Sequence, residues 1–241
     1  FWSEFCDWYL ELAKGRLAEG GDARLGAQRN LVFVLDRALR LLHPMMPFIT
    51  EDIWRRLPLP EADRAESLMI AEWPTGLTAF RDEGAETSMQ ILQEVITSVR
   101  SVRARFDVPR KTAVGLVVKA GGSDAMLLEA ERSYLEELAG VEELTIAPDA
   151  EKPAHAAVDV IKGMELYVPL EGLVDIDAER ARVDKELAKL EADLARVAGK
   201  LSNEGFLAKA APEVIEKERA KQAVLSETAV KLRGQLEELG E

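Results

Sequence analysis

Within VRSVRARFDVPRK, residues 99–111, five cations gather against a single acid: Arg100, Arg103, Arg105, Arg110 and Lys111 surround Asp107. Guanidinium presents a planar fork of donors that matches phosphate oxygens and base edges, so this cluster has the makings of a phosphate or base contact. The plainer reading is a solvated helix end, where positive charge meets the negative end of the helix dipole. A second set, Lys185, Lys189, Arg196, Lys200 and Lys209, falls along the last part of the chain and could follow a phosphate backbone. Ordinary charge pairing between two helices is the alternative for that set.

These cations sit in an acidic chain. Among 241 residues, 44 are Asp or Glu and 31 Lys or Arg, a net charge of −13. Taken whole, such a molecule repels phosphate, so any nucleic-acid binding must come from local basic patches. Residues 175–241 hold 12 basic and 15 acidic side chains, a net −3, and are less acidic per residue than the rest.

Other chemistry finds little support. No Walker loop, dinucleotide fingerprint or nucleophile elbow occurs. Two histidines, His43 and His155, with the single Cys6, cannot build an ordinary His/Cys zinc site, and one cysteine closes no internal disulfide. That cysteine usage fits a reducing, cytoplasmic compartment. Carboxylate pairs are abundant, as solvated helix faces require. Catalytic residues, metal ligands and a bound cofactor are therefore not expected in this chain. No apolar run is long enough for a membrane span, and no basic leader with an apolar core is present. The opening FWSEFCDWY begins in mid-helix without Met, which points to a piece of a longer polypeptide.

The elements that must position the cations are mostly helical. Phe1, Phe5, Tyr9 and Leu12 share a face in a run ended by Gly20-Gly21. Leu31, Val34, Leu35, Ala38, Leu41 and Leu42 stripe a second helix, which Pro44 and Pro47 forbid from continuing. In LLHPMMPFITEDIW, Thr50 is the expected cap of a third helix, with Glu51 and Asp52 in its first turn and Ile53, Trp54 and Leu57 inward. That corner is expected to be buried on both sides, with His43 meeting free carbonyls at a helix end. A fourth helix carries Leu92, Val95, Val99, Val102 and Phe106.

From about residue 112 the pattern predicts a small α/β unit of one helix and about three strands. Val114, Leu116 and Val118 alternate as a strand does, and Ser123 or Asp124 is placed to cap a helix ended by Gly140. Leu144 and Ile146 mark a second strand, and Val158/Val160 and Leu166/Val168 a hairpin across Lys162-Gly163. From Ile176 the rhythm becomes coiled-coil: Ile176, Val183, Leu187, Leu190, Leu194, Val197 and Leu201 recur at threes and fours, with Arg180 alone at an expected apolar site. Ile215, Leu225, Ala229, Leu232, Leu236 and Leu239 repeat it after Pro212. Two such helices around one short connector predict an antiparallel hairpin with arms of about 35–40 Å. The expected fold class is mainly α: a helical bundle over 1–111, the α/β unit over 112–173 and a long antiparallel coiled-coil hairpin over 174–241.

Several stretches, in order, resemble the C-terminal third of the valyl-tRNA synthetases, class I aminoacyl-tRNA synthetases: FWSEFCDWYLELAK, LLHPMMPFITEDIWRRL, VRSVRARFDVPRK, GMELYVPLEGLVD and KLSNEGFLAKAAPEVIEKERAK. The first two are shared loosely with the isoleucyl and leucyl enzymes. The last is far more specific to the valyl branch, and the cysteine-rich zinc ends of many isoleucyl enzymes are absent. The resemblance implies an anticodon-binding bundle, and a terminal coiled-coil arm that leans on the outer corner of the tRNA. It implies tRNA(Val) as partner to a monomer, with neither membrane nor DNA. In the intact enzymes valine is joined to tRNA with ATP and Mg²⁺, and mischarged threonine is hydrolysed in a separate editing domain.

The family's His-Ile-Gly-His and Lys-Met-Ser-Lys-Ser signatures are not in this chain, so it is expected to bind tRNA without activating valine. The resemblance places Arg100, Arg103 and Arg110 in the family's basic segment. Many members carry an acid where this chain has Arg105. Two other readings stay open on sequence: an assembly module whose coiled coil pairs with another chain, and the equivalent region of a different class I synthetase.

Overall fold

The computed structural model describes residues 2–61 and 64–240, apart from the side chains of Leu77, Leu207 and Lys209. The fold is mainly helical with one small mixed sheet. The chain divides after Gly84 into two compact units.

The first unit opens with a π-helical segment, Trp2–Tyr9, that runs into α1, Leu10–Glu19. Phe5 stacks on Tyr9 at 5.7 Å between ring centroids, along the face read from sequence. Phe1, expected on that face, lies outside the described residues. Gly20, at φ 86°, is the sole link to α2, Gly21–Leu42, and α1 packs on α2. Ala13 and Ala27, each seven residues from Gly20, are both buried, as two helices folded back on one another require.

The proline corner departs from expectation. α3 spans Pro47–Arg55, so proline takes the first helical position, where its missing N–H costs nothing. Thr50 is therefore an interior residue rather than the cap, and Glu51 lies beyond the first turn. The Thr50 hydroxyl donates to the Met46 carbonyl at 2.8 Å and lies 2.7 Å from His43 Nδ1. His43 thus meets a side chain rather than free carbonyls, and its Nε2 is buried without a hydrogen-bond partner among the described residues.

Nor is the corner buried on both sides. Trp54 faces inward with Leu39, Leu57 and Leu68, but Met45 is 79% exposed and Phe48 90%, and Ile53 is also exposed. Two 3₁₀ turns, Leu68–Ile70 and Leu77–Phe80, close the unit. Glu51 fastens the first of them, accepting from the Leu68 amide at 2.8 Å and the Ser67 hydroxyl at 3.0 Å.

The second unit contains nearly all of α4, Glu83–Arg105, whose seam of Leu92, Val95, Val99 and Val102 is buried as read. Four strands follow rather than three: β1 Val114–Lys119, β2 Val141–Ala147, β3 Ala156–Ile161 and β4 Met164–Pro169, in the order β2-β1-β4-β3. β1 pairs parallel with β2 and antiparallel with β4. The turn joining β3 to β4 has Lys162 at φ 48° and Gly163 at φ 88°, the paired positive angles that a two-residue hairpin demands. The single expected helix is two, α5 Gly122–Ala130 and α6 Arg132–Ala139, and neither Ser123 nor Asp124 caps the first. The break at Glu131 leaves Leu128 and Leu135 both fully buried. Gly140 ends α6 in the left-handed region, as read.

Two long helices end the chain: α7, Ile176–Leu201, and α9, Pro212–Gly240, with the short α8, Glu204–Lys209, between them. Asp175 caps α7 and Asn203 caps α8 through their side chains. Glu179 meets Gln235 while Lys200 meets Glu218, so α7 and α9 lie antiparallel. Val183 and Val197 on α7, and Ala229, Leu232, Gln235 and Leu239 on α9, are buried. The end of α9 is fastened to the sheet, where the Val158 amide donates to Glu238 Oε1 at 3.2 Å and His155 Nδ1 lies 3.1 Å from the Leu239 carbonyl.

Candidate nucleic-acid interface

The cluster at the end of α4 separates into cations with structural duties and cations facing solvent. Arg103 is buried, with its guanidinium donating to the carbonyls of Ala139 at 3.2 Å, Gly140 at 3.4 Å, Thr112 at 2.7 Å and Pro109. Burial pulls its pKa below the ordinary guanidinium value. Both terminal nitrogens are committed to backbone carbonyls, so Arg103 ties the end of α6 to the loop after α4 and leaves the expected contact set. Arg100 lies at the surface with its Nε on the Leu138 carbonyl at 2.8 Å, a second cation at the negative end of α6. Arg105 pairs with Glu238 at 2.8 Å and lies over the Phe106 ring at 5.0 Å. Arg110 and Lys111 are exposed, make no hydrogen bond or ion pair with a described residue, and line a shallow groove of about 510 Å³ with Glu136 and Glu142.

On α7 the expected cations share a face. At about 100° per residue, Lys185, Lys189, Arg196 and Lys200 fall within about 60° of one another over about 22 Å. Arg196 pairs with Asp193 at 2.7 Å and Lys200 with Glu218 at 2.9 Å. Lys185 and Lys189 are exposed and pair with no described residue. The side chain of Lys209 lies outside the described residues.

A third basic site went unread in the sequence. In the first unit Arg29, Arg37, Arg40 and Arg64 line a groove of about 660 Å³, with Phe33, Ile70 and Trp73. At its floor Asp36, almost fully buried, accepts from Trp54 Nε1 at 2.6 Å, Arg40 Nε at 3.0 Å and Arg37 Nη1 at 3.2 Å. Arg37 lies 3.4 Å from the centroid of the Phe33 ring, and Arg40 also donates to the Glu72 carbonyl at 3.0 Å. Asp36 thereby neutralises part of the charge while fixing the forks. Arg29 remains exposed and unpaired among the described residues, and Trp73 is 56% exposed at the rim. The readable signal was the spacing of Arg29, Phe33, Asp36, Arg37 and Arg40, one helix face in threes and fours. The contributions from residues 59–75 needed the fold.

Among the described residues no group of His, Cys, Asp and Glu is arranged to hold a metal ion, and no helix is long and apolar enough to cross a membrane.

Comparison with known proteins finds two family models. Residues 1–118 match the anticodon-binding domain of tRNA ligase, and residues 175–240 the valyl tRNA synthetase tRNA binding arm. The valine–tRNA ligase of Enterococcus faecalis is 44% identical over 223 residues, which are 92% of this chain and 25% of that protein. That of Symbiobacterium thermophilum is 43% identical over 253 residues, 98% of this chain and 28% of that protein. That of Bacillus subtilis is 42% identical over 223 residues, 92% and 25% respectively. The chain spans about a quarter of the length of these relatives, in their C-terminal part. Two models in chain order, and relatives aligned across nearly the whole chain, agree: it belongs to the valyl-tRNA synthetase family, as a C-terminal region of such an enzyme.

Proposed function

We propose that this chain binds tRNA(Val) for a valine–tRNA ligase, holding the anticodon stem-loop with its N-terminal helices and the outer corner of the tRNA with α7 and α9 as a coiled-coil arm. The functional organisation is a bundle over 1–111, an α/β unit over 112–173 and the arm over 174–241. Activation of valine with ATP and Mg²⁺ belongs to the rest of the intact enzyme, which is cytoplasmic, and this chain acts as a monomer without a cofactor of its own.

One observation carries this reading. All four cations between residues 119 and 174, Lys119, Arg132, Lys152 and Lys162, have partners within the protein. Those without a hydrogen bond or ion pair to a described residue fall in the two matched stretches. They include Arg29, Arg110 and Lys111 in the first, and Lys185, Lys189, Lys217, Arg219 and Lys221 in the second. Cations left unpaired in a chain of net charge −13 are the ones available to release counterions from a phosphate backbone.

The test is the salt dependence of tRNA(Val) binding by filter retention. Replacing Lys185 and Lys189 with Ala should shallow the logarithmic slope by up to about one unit for each phosphate no longer neutralised. An unchanged slope with unchanged affinity would remove the arm from the interface. Valine-dependent pyrophosphate exchange by this chain alone would overturn its assignment as non-catalytic.

A further inference from the structure

The outer side of the proline corner carries side chains that water should not face. Leu41, Met45, Met46, Phe48, Ile49 and Ile53 are between 37% and 90% exposed, and all lie within thirteen residues. On α3, Ile49 and Ile53 stand one turn apart with Phe48 on their far side, while Thr50 and Trp54, about 100° round the helix, are buried. A contiguous apolar surface of this kind on a folded protein marks an interface.

We infer that this face is the seat of the preceding part of the longer ligase, packed against the corner from the N-terminal side. This rests on reading the chain as one part of such an enzyme. Three observations select that occupant. About three quarters of each relative's length lies outside the matched region. The path of the chain leads towards it: α1 packs back along α2 from the turn at Gly20, so the chain enters α1 from the side of the C-terminal end of α2, which carries Leu41 and the corner. Trp2, 75% exposed, begins that path. Finally, the charged rim of α3 is self-neutralised, with Arg55 paired to Glu51 at 2.6 Å and Arg56 to Asp52 at 3.0 Å. That leaves no cation excess to draw RNA or an anionic membrane, and an apolar protein surface is the matching partner.

Methionine footprinting tests this. Met45 and Met46 oxidise in proportion to exposure, and Met126 on α5, 69% exposed, is an internal reference. In this chain peroxide should oxidise Met45 as fast as Met126, whatever the protein concentration. In the full-length ligase from the same gene, Met45 should react roughly tenfold or more slowly while Met126 is unchanged. Phe48→Ser in the full-length protein should restore Met45 oxidation, yet leave the melting temperature of this chain unaltered. Equal Met45 rates in the two proteins would overturn the inference. So would protection of this chain by its own concentration, which means a second copy, or by added tRNA, which means nucleic acid. Failure of the tRNA-binding reading shows separately, in filter retention, and does not move the footprint.

Discussion

Gly140 and Arg103 occupy space that only one side chain can fill. A Cβ built on Gly140 would come within 2.8 Å of Arg103 Nη1, and Gly140 itself sits at φ 69°. The glycine therefore does two things at once: it ends α6 in a left-handed turn and lets a buried guanidinium reach the last carbonyls of that helix.

Gly140→Ala should cost about 2–4 kcal/mol in urea denaturation, the sum of an unfavourable backbone angle and displacement of Arg103. Gly122 supplies the comparison, because its φ is 63° but nothing lies within 4 Å of its missing Cβ. Gly122→Ala should cost only about 1 kcal/mol. Equal destabilisation at the two sites would mean that Arg103 moves aside freely.

Arg105 and Glu238 make the next contrast. Burial raises the Glu238 pKa above the ordinary carboxylate value, against the opposing pull of Arg105 and the Val158 amide. A carboxyl with a raised folded-state pKa binds more protons folded than unfolded. Its contribution is thus most favourable at low pH and is lost as pH rises through the folded value. Glu238→Gln removes the buried charge and keeps the oxygen that Val158 reaches, so it should lie within about 1 kcal/mol of the parent at neutral pH. Arg105→Ala strands the carboxylate and should cost about 2–3 kcal/mol. The reverse ranking by thermal melts would refute this role for the pair.

What the sequence made legible was periodic. The seam of α4, the alternation of β1 and the Lys162-Gly163 turn follow from spacing that the backbone itself imposes, whereas the α2 stripe was legible only in part, since Leu41 is exposed and the unread Leu39 is buried. What stayed hidden depended on contacts between distant residues. Five clustered cations read alike, yet one buried fork on four carbonyls, one surface guanidinium on the Leu138 carbonyl, one ion pair and two side chains unpaired among the described residues emerged because α6 and α9 end beside them. The proline corner misled for a related reason. Its apolar composition read as a core, but this chain buries only the side carrying Thr50 and Trp54.

Glu51 gives the acid-side prediction. Burial raises its pKa, but donors from Arg55, the Leu68 amide and Ser67 outweigh that and hold it below the ordinary glutamate value. The stabilisation is then fully present above the unfolded pKa and disappears as pH falls through the folded one. Glu51→Gln should be about 1 kcal/mol less stable than the parent at neutral pH, with the gap closing on acidification below the ordinary glutamate range. Hydrogen exchange at the Leu68 amide should follow the same curve. A gap independent of pH would show that the carboxylate charge is immaterial.

The groove of the first unit yields the sharpest functional prediction, because its parts suit a base better than a bare phosphate. Trp73 stands exposed at the rim, and the guanidinium of Arg37 lies over Phe33. An exposed indole beside pinned guanidiniums is a stacking platform with a cationic wall, and one base stacked on an aromatic ring is worth about 1–3 kcal/mol. Trp73→Ala should weaken binding of a valine anticodon stem-loop by roughly 5- to 150-fold with little change in salt slope. Trp73→Phe should retain most of the affinity. Arg29→Ala should do the opposite of the tryptophan change, shallowing the slope at modest cost in affinity. If neither substitution affects the stem-loop while both proteins melt normally, the anticodon loop lies elsewhere on the helices.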